Sequence, residues 1–477
     1  MSDSLKNKTI NALSWNAFDK IGFQVIALLV GVITARLLSP KDFGLIGALA
    51  IFTLISNLLI ESGFTSALIR REKNTTEEYT AIFYFNLFLS LSCYLLLFFS
   101  APYIASFFKM PELINLSRFL FLAIIINSLG LIQTIVLTKE LAFRTMSIAN
   151  IVSAIASGII TIGLIFYGWG YWALAWQIVS QASIKVSLLW IFSNWRLASN
   201  AHFRIIKEVF SFSSVLLITS FINTIIRNIY NIIIGKFFTI QDLGYYFQAN
   251  KFQQIPSNVI SLTINGVAFP VLSELKKSPQ RQLFYCRKIL RILAFIIFPT
   301  ISLLYATASD MVLLVLTEKW MPFVPYFKIL LIVGMIYPIH MFYVSIIAVN
   351  GHAKTIFLLE MMRNSYILAS LFFCLNSIEH LLIGLAIANV LSYITDLFFA
   401  KRIMNFTIWY QLKDILPYLV ISIGIYGLTQ LFNSVDNALL RISFQLIVGI
   451  SAYLSILYLL KSRIMIDTIS LLKNKKL

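Results

Sequence analysis

The sequence ARLLSPKDFG occupies residues 35–44, and GKFFTIQDLG repeats its pattern at residues 235–244. Aligned without a gap, the two copies share a cation, a hydroxyl, an acid and a glycine at matching positions. The pairs are Arg36/Lys236, Ser39/Thr239, Asp42/Asp242 and Gly44/Gly244. Each copy lies between two apolar runs, as a tight turn between two membrane helices does. The cation complements the dipole at the end of one helix, and the hydroxyl or the acid can cap the next helix.

Two copies of this turn indicate a duplicated membrane unit, an arrangement common in transporters. Six predicted helices separate the copies, so both units enter the membrane with the same orientation. The two resulting lobes are then related by a pseudo-twofold axis along the membrane normal. Chance similarity between two helical hairpins is the alternative explanation.

The composition places the chain in the membrane. Apolar residues make up 59% of its 477 residues and charged residues only 12%, and the mean hydropathy is +0.84. A soluble globular protein has about 25% charged residues. The long apolar runs, separated by short polar connections, therefore predict an all-α polytopic membrane protein without a soluble domain.

About fourteen transmembrane helices are predicted, each near or above the ~20 residues that span a bilayer. Their approximate ranges are 14–38, 43–66, 80–107, 117–137, 147–167, 171–192, 209–235, 244–270, 286–307, 326–349, 354–376, 380–400, 414–432 and 440–460. The duplication divides them into a six-helix lobe over residues 1–200 and a second over residues 201–405, around a central cavity. Residues 406–477 add two appended helices and a basic tail.

Lys and Arg residues concentrate on alternate connections, which predicts the orientation of the chain. Connections such as Arg70–Arg71, Lys276–Lys277 and Lys401–Arg402 are basic, whereas those on the other side are nearly bare. The basic side, with both termini, is therefore predicted to be cytoplasmic. Most of the +18 net charge reflects this topology. Because the cations are spread over many loops, nucleic acid is not expected as a partner.

The seventh and eighth predicted helices carry the most polar stretch among the spans. Arg227 and Lys251 each lie about 12 residues from the turn near Ile240, which puts both about 17 Å from that turn. Neither span holds an acid that could pair with them. The amides predicted to line the same polar cavity are Asn223, Asn231, Gln253 and Gln254. The stretch predicts a wet, cationic cavity; a short eighth helix with Lys251 at the interface is the alternative.

Three more charged residues lie inside the first two spans, where an ionisable group usually faces a cavity or a partner. Asp19 and Glu61 are the candidates for binding a coupling ion, and Lys20 is a further candidate for binding substrate. The alternatives are a structural pair between Lys20 and Glu61, or a Lys20 side chain that extends to the membrane surface.

The remaining charges and the histidines give weaker signals. Asp396 is predicted near a cytoplasmic helix end, and Glu360 is spaced to pair with Arg363 on one helix face. The four histidines are too dispersed along the sequence to indicate a metal site, and nothing in the sequence predicts a cofactor or a catalytic residue.

Several blocks in order resemble the polysaccharide flippase family, in particular its colanic-acid-exporter branch. These blocks, between about residues 15 and 351, include ARLLSPKDFGLIG, ESGFTSALIRRE, LGYYFQANKFQQIPSN, LTEKWMPFVPYFKIL and YPIHMFYVSIIAVNG. The resemblance implies the fold of the multidrug/oligosaccharidyl-lipid/polysaccharide exporters, in which two lobes enclose a cavity that opens alternately to each side.

The resemblance also implies a function, which is to move undecaprenyl-diphosphate-linked oligosaccharides between leaflets of the bacterial inner membrane without catalysis. The expected partners are this lipid-linked substrate, membrane lipids and a polysaccharide polymerase. A drug or cation antiporter of the same superfamily is one alternative; it would favour acids in the cavity. A polysaccharide polymerase or ligase is another, and it would be expected to have a large catalytic loop on the outer side.

Overall fold

The structure is a computed structural model that describes residues 3–61, 68–69, 71, 74–202, 204–373, 375–462 and 464–466. Side chains at 3–14, 16–17, 61, 208–219 and 262–267 lie outside this description. The described residues form helices and turns, with no strand among them. In the first half of the chain the helices are α1 Asp3–Leu37, α2 Pro40–Glu61, α3 Thr76–Phe108, α4 Leu113–Leu120, α5 Leu122–Leu129, α6 Leu131–Lys139, α7 Phe143–Phe166 and α8 Tyr171–Phe192. In the second half they are α9 Arg204–Phe237, α10 Ile240–Glu274, α11 Pro279–Met311, α12 Phe323–Val349, α13 Ala353–Phe373, α14 Ile378–Met404, α15 Ile408–Gln430 and α16 Ala438–Leu459.

The two copies of the turn motif occupy matching positions in the helical framework. α1 ends at Leu37 and α2 begins at Pro40, while α9 ends at Phe237 and α10 begins at Ile240. Both turns therefore fall at the same places in the aligned motif, as the sequence predicts.

Side chains of the motif cap the helix that follows each turn. The backbone N–H and Oγ of Ser39 donate to Oδ2 of Asp42, at 2.8 and 2.7 Å. In the second copy Thr239 donates to Oδ2 of Asp242 in the same way, at 3.3 and 2.6 Å. Each hydroxyl also accepts a hydrogen bond from the backbone N–H of the acid. This reciprocal arrangement is a capping box, and it confirms the predicted capping role of the hydroxyl and the acid.

The glycines that end the motif bring the two copies into reciprocal contact. A Cβ added at Gly44 would lie 2.0 Å from the carbonyl oxygen of Ile240, and one added at Gly244 would lie 1.9 Å from that of Pro40. Pro40 and Ile240 are the equivalent first residues of α2 and α10. The contact is thus two-fold symmetric between the copies, and it depends on the missing side chain at both glycines.

Helix lengths repeat beyond the turn. α3 and α11 each have 33 residues. The span Leu113–Lys139 matches Phe323–Val349, each with 27 residues. These equal lengths are compatible with the predicted duplication.

Contacts between helices divide the chain into two compact units, residues 1–247 and 248–477. The boundary lies within α10, whereas the duplication predicts a boundary at residue 200. The two divisions describe different properties, since contacts define the compact units and sequence similarity defines the repeats. The lobes 1–200 and 201–405, with the appended segment 406–477, stay a prediction.

In the described residues, twelve segments are long and apolar enough to cross a membrane. The fourth predicted span is present but broken, since α4, α5 and α6 follow one another between Leu113 and Lys139. α9 and α10, the seventh and eighth predicted spans, are not among the twelve. The count of fourteen transmembrane helices therefore stays a prediction.

Small residues let α7 pack closely on α1 in the first unit, as is usual between membrane helices. A Cβ added at Gly158 would lie 2.6 Å from Cγ2 of Val30. The Ser147 hydroxyl donates to the carbonyl oxygen of Trp15 at 3.1 Å. The buried face of α7 includes Ser147, Ala149, Ser153, Ala154, Ser157, Gly158 and Thr161.

The second unit contains two packed groups of helices. α12 and α13 both pack against α14, and α11 packs against α15 and α16. Each group brings charged side chains from different helices together inside the unit.

Candidate functional site

The two predicted cavity cations have exposed side chains. Arg227 lies on α9 in the first compact unit, and Lys251 lies on α10 in the second. Both positions are compatible with contact to water or to a charged ligand. Their assignment to substrate stays a prediction.

The predicted amides occupy different environments. Asn223 is half-buried and Gln254 is exposed. Asn231 is buried; its Nδ2 donates to Oδ1 of Asn228 at 3.4 Å, and its own Oδ1 has no hydrogen-bond partner among the described residues. Gln248 is fully buried, and in the described structure neither of its amide atoms forms a hydrogen bond. Buried amide atoms that lack a hydrogen-bond partner in the protein usually form hydrogen bonds with water or a ligand.

Gln253 packs between helices. Its Nε2 donates to Oγ of Ser257 at 2.7 Å, and that hydroxyl donates to the carbonyl oxygen of Gly334 on α12 at 3.0 Å. A Cβ added at Gly334 would lie 1.7 Å from Nε2 of Gln253. Gln253 therefore joins α10 to α12, which is a structural contact that the sequence alone did not indicate.

On α1, Asp19 and Lys20 have different surroundings. Asp19 Oδ2 accepts a hydrogen bond from Nδ2 of Asn150 on α7 at 2.9 Å, and its buried Oδ1 has no partner among the described residues. Lys20 is exposed. The side chain of Glu61 lies outside the described residues, so the predicted Lys20–Glu61 pair and the coupling role of Glu61 stay predictions.

Sequence reasoning missed a buried group of charges on α12, α13 and α14. Nδ1 of His340 lies 2.8 Å from Oδ2 of Asp396, and its Nε2 lies 3.7 Å from Oε1 of Glu360. The other carboxylate oxygen of Glu360 lies 3.7 Å from Nη1 of Arg363. The i,i+3 pair on one helix face is thus confirmed, and it is part of a larger cluster.

Asp396 does not extend to the membrane surface from its predicted place near a cytoplasmic helix end, because it is fully buried against His340. Two carboxylates and one guanidinium leave a net charge of −1 when the imidazole is neutral. One proton, on His340 or on Asp396, makes the four groups neutral. Because an uncompensated charge is costly in such a place, we expect the cluster to hold one proton. The histidine within the apolar run YPIHMFY and the Glu360–Arg363 spacing were the signals of this cluster in the sequence.

A second ionic group joins α11 to α15. Asp414 is buried and accepts hydrogen bonds from Arg287 Nε and Nη2, at 2.7 and 3.0 Å, and from Arg291 Nε, at 2.6 Å. The two arginines remain about a quarter exposed, at 25% and 22%. They line a cavity of about 460 Å³ with residues of α15 and the end of α16.

The fold is shared with solved structures of membrane transporters. The chain is similar to a lipid II flippase, MurJ, solved in an inward closed conformation, with a TM-score of 0.78 over 96% of this chain and 100% of that one, at 15% identity. It is also similar to an inward-facing multidrug resistance transporter of the MATE family, with a TM-score of 0.59 over 80% of this chain and 94% of that one, at 14% identity. At these identities the likeness concerns the fold.

The family follows from the sequence match. The model of a family described as polysaccharide biosynthesis protein matches residues 33–325, more than half of the chain. The chain therefore belongs to this family, which confirms the resemblance drawn from the sequence blocks.

Two relatives illustrate the match. The teichuronic acid biosynthesis protein TuaB of Bacillus subtilis is 26% identical over 341 residues, covering 70% of this chain and 69% of the relative. The lipopolysaccharide biosynthesis protein WzxC of Escherichia coli is 22% identical over 336 residues, covering 70% of this chain and 68% of the relative.

Proposed function

We propose that this protein flips undecaprenyl-diphosphate-linked oligosaccharide repeat units from the cytoplasmic to the periplasmic leaflet of the inner membrane, by alternating access. The observation that carries the proposal is the occurrence in one chain of a transporter fold and membership of a polysaccharide biosynthesis family. A membrane transporter in such a family has lipid-linked sugar intermediates as its natural cargo. The protein moves this cargo without catalysing a reaction.

Substrate recognition has two parts in this proposal. Arg227, Lys251 and Lys20 attract the diphosphate, because phosphate oxygens form strong charge-assisted hydrogen bonds with cations. The amides Asn223, Asn231, Gln253 and Gln254 interact with the sugars. The Oδ1 of buried Asn231, which has no hydrogen bond to a described residue, supports a polar ligand or water near α9.

Energy coupling is assigned to the acids of the first two helices. Asp19 or Glu61 takes up the coupling ion during the cycle. The buried Oδ1 of Asp19 supports this role, since no described residue bonds to it and this carboxylate oxygen can accept a proton or a cation. Both chain termini lie in the cytoplasm, and a polysaccharide polymerase receives the flipped unit on the other side.

The test is the identity and location of the intermediates that accumulate when the gene is deleted. We expect mass spectrometry to show undecaprenyl-diphosphate-linked repeat units that remain protected from enzymes added on the periplasmic side of spheroplasts. Expression of the intact protein in the deletion strain should remove them.

Two other outcomes would contradict the proposal. Repeat units that accumulate but are accessible from the periplasm would indicate loss of a polymerase or ligase. Normal lipid-linked glycans together with increased sensitivity to cationic drugs would indicate a drug antiporter.

A further inference from the structure

The cavity between α11, α15 and α16 combines a basic end with an apolar wall. Its polar lining includes Arg287, Arg291, Lys413 and Asp414, and its apolar wall includes Ile421 and Leu457. A volume of about 460 Å³ is within the usual range of ligand sites, ~300–1,000 Å³. The cavity belongs to neither of the polar sites assigned above to substrate and coupling.

The basic end has more positive than negative charge. Three cations, Arg287, Arg291 and Lys413, face one carboxylate, Asp414, which leaves a net charge of +2 (3 − 1). Asp414 is buried, and both arginines donate to it, so it fixes their position. Because the guanidinium groups remain partly exposed to the cavity, they can accept a second anionic partner.

The ring of Tyr410 holds the side chain of Arg287 in place. The guanidinium carbon of Arg287 lies 4.5 Å from the centroid of the Tyr410 ring. Stacking of this kind restricts the side chain and leaves its N–H groups directed along the plane of the guanidinium. The basic end is therefore preorganised for an anion such as phosphate.

The cavity lies on one side of the three-helix group, where α11 and α15 begin and α16 ends. Arg287 lies near the start of α11, Lys413 near the start of α15 and Leu460 directly after the end of α16. The loop cations predict that this side of the membrane is cytoplasmic. The cytoplasmic leaflet contains anionic lipids, and basic pockets between helices on that side bind their headgroups.

We propose that this cavity binds an anionic membrane phospholipid. The phosphate contacts Arg287, Arg291 and Lys413, and an acyl chain follows the apolar wall formed by Ile421 and Leu457. A lipid-linked oligosaccharide fits this cavity less well, because the Asp414 carboxylate that could bind sugar hydroxyls is occupied by both arginines. The Tyr418 and Ser462 hydroxyls also pair with each other, at 3.1 Å. Occupation by lipid would add to the contacts that already hold α15 and α16 against α11.

The test measures lipid binding to the purified full-length protein by native mass spectrometry. The probes are phosphatidylglycerol as the anionic lipid and phosphatidylethanolamine as the zwitterionic one. We expect phosphatidylglycerol to bind at least about tenfold more tightly. Lys413→Gln is the main variant, since Lys413 is exposed and the arginines, not Lys413, hold Asp414. It should weaken phosphatidylglycerol binding about tenfold, which is the effect of losing one charge-assisted contact of ~1.4 kcal/mol.

Arg291→Gln and Lys401→Gln complete the series. Arg291→Gln should weaken binding by a similar or larger factor, while Asp414 keeps Arg287 as its partner. Lys401→Gln is the matched control, because Lys401 is an exposed cation at the end of α14 and does not line the cavity. Its phosphatidylglycerol affinity should equal that of the unmodified protein.

Four results would overturn the inference. Equal binding of the two lipids would exclude recognition of charge, and an equal loss in Lys413→Gln and Lys401→Gln would indicate diffuse electrostatic attraction. Competition by inorganic phosphate at the same concentration as phosphatidylglycerol would indicate a site for a free anion. Displacement of the phospholipid by an equimolar amount of undecaprenyl diphosphate would instead assign the cavity to substrate. Because the assay measures lipid affinity and not export, its outcome is independent of the proposed flipping activity.

Discussion

The charge balance around His340 decides which substitutions the second unit tolerates. Asp396 and Glu360 supply two negative charges, and Arg363 with one proton supplies two positive ones. Removing a positive charge leaves the cluster with a net negative charge, whereas removing Asp396 together with its proton leaves the cluster neutral. The two kinds of change should therefore differ in their effect on stability.

We expect Arg363→Gln to destabilise the protein by ~1–3 kcal/mol, the usual cost of removing one partner of a charged group away from water. Asp396→Asn is the matched control, because the amide keeps the shape of the side chain and a hydrogen bond to His340. Thermal unfolding of the purified variants in detergent measures the difference. If Asp396→Asn lowers the unfolding temperature as much as Arg363→Gln, the cluster does not hold a proton.

The predicted substrate cations can be tested one residue at a time. Arg227→Ala and Lys251→Ala should each reduce glycan export in the deletion strain, since one lost contact to the diphosphate costs ~1.5–3 kcal/mol, or roughly ten- to hundredfold in affinity. Arg227→Lys should keep part of the activity, because the charge remains but the bidentate geometry is lost.

Lys185→Ala serves as the control for these variants, as Lys185 is a half-buried cation on α8 outside the predicted cavity. Immunoblots of membrane fractions should show equal amounts of all variants. Normal export by both alanine variants at normal levels would place Arg227 and Lys251 at the membrane interface and not at a substrate site.

At the scale of helices, the reciprocal contact of α2 and α10 gives the duplicated turn its structural role. Each capping box fixes where its helix begins, and the glycine one turn later lets the other helix approach within backbone contact. A methyl group at either glycine would lie about 2 Å from a carbonyl oxygen, well inside van der Waals distance. The helices would have to separate.

We expect Gly44→Ala and Gly244→Ala each to destabilise the first unit by ~1–3 kcal/mol or more, the usual cost of overpacking a close contact. Gly424→Ala on α15 is the control, since an added Cβ there meets no atom within 4 Å. It should be neutral or stabilising by up to ~1 kcal/mol, because alanine favours a helix over glycine. Scanning fluorimetry compares the three, and similar unfolding temperatures for all would show that the two turns are not in tight contact.

For the whole molecule, the loop charges predict which surfaces face the cytoplasm. Pro279 begins α11 and follows the basic segment Lys276–Lys277. Ser434 lies in the connection from α15 to α16, which is predicted to face the other side of the membrane. Both residues are exposed, so a cysteine at either position is accessible to a reagent.

After replacement of the three native cysteines, Pro279→Cys should react with a membrane-impermeant maleimide only when the cells are opened. Ser434→Cys should react in intact spheroplasts. The reverse pattern would invert the orientation and with it the proposed direction of flipping. It would also place the lipid cavity in the outer leaflet.

The sequence by itself determined what depends on neighbours along the chain. Ser39 and Asp42, three residues apart, cap α2 together, and Thr239 and Asp242 do the same for α10. Each turn could therefore be predicted from a stretch of ten residues. The membrane class and the order of spans follow from hydropathy over about twenty residues. The repeat of the turn was visible because the same local rules apply twice.

Only the tertiary structure decided which polar groups meet. His340 and Asp396 are 56 positions apart, and Arg287 and Asp414 are 127 positions apart; each pair lies on helices that hydropathy treats as separate apolar spans. A helix exposes its polar residue to lipid, water or a partner according to its rotation and its neighbours, which no local pattern encodes. For the same reason Gln253, predicted to line a cavity, packs against Gly334. The fourth span, predicted as one helix over 117–137, is broken into three between Leu113 and Lys139.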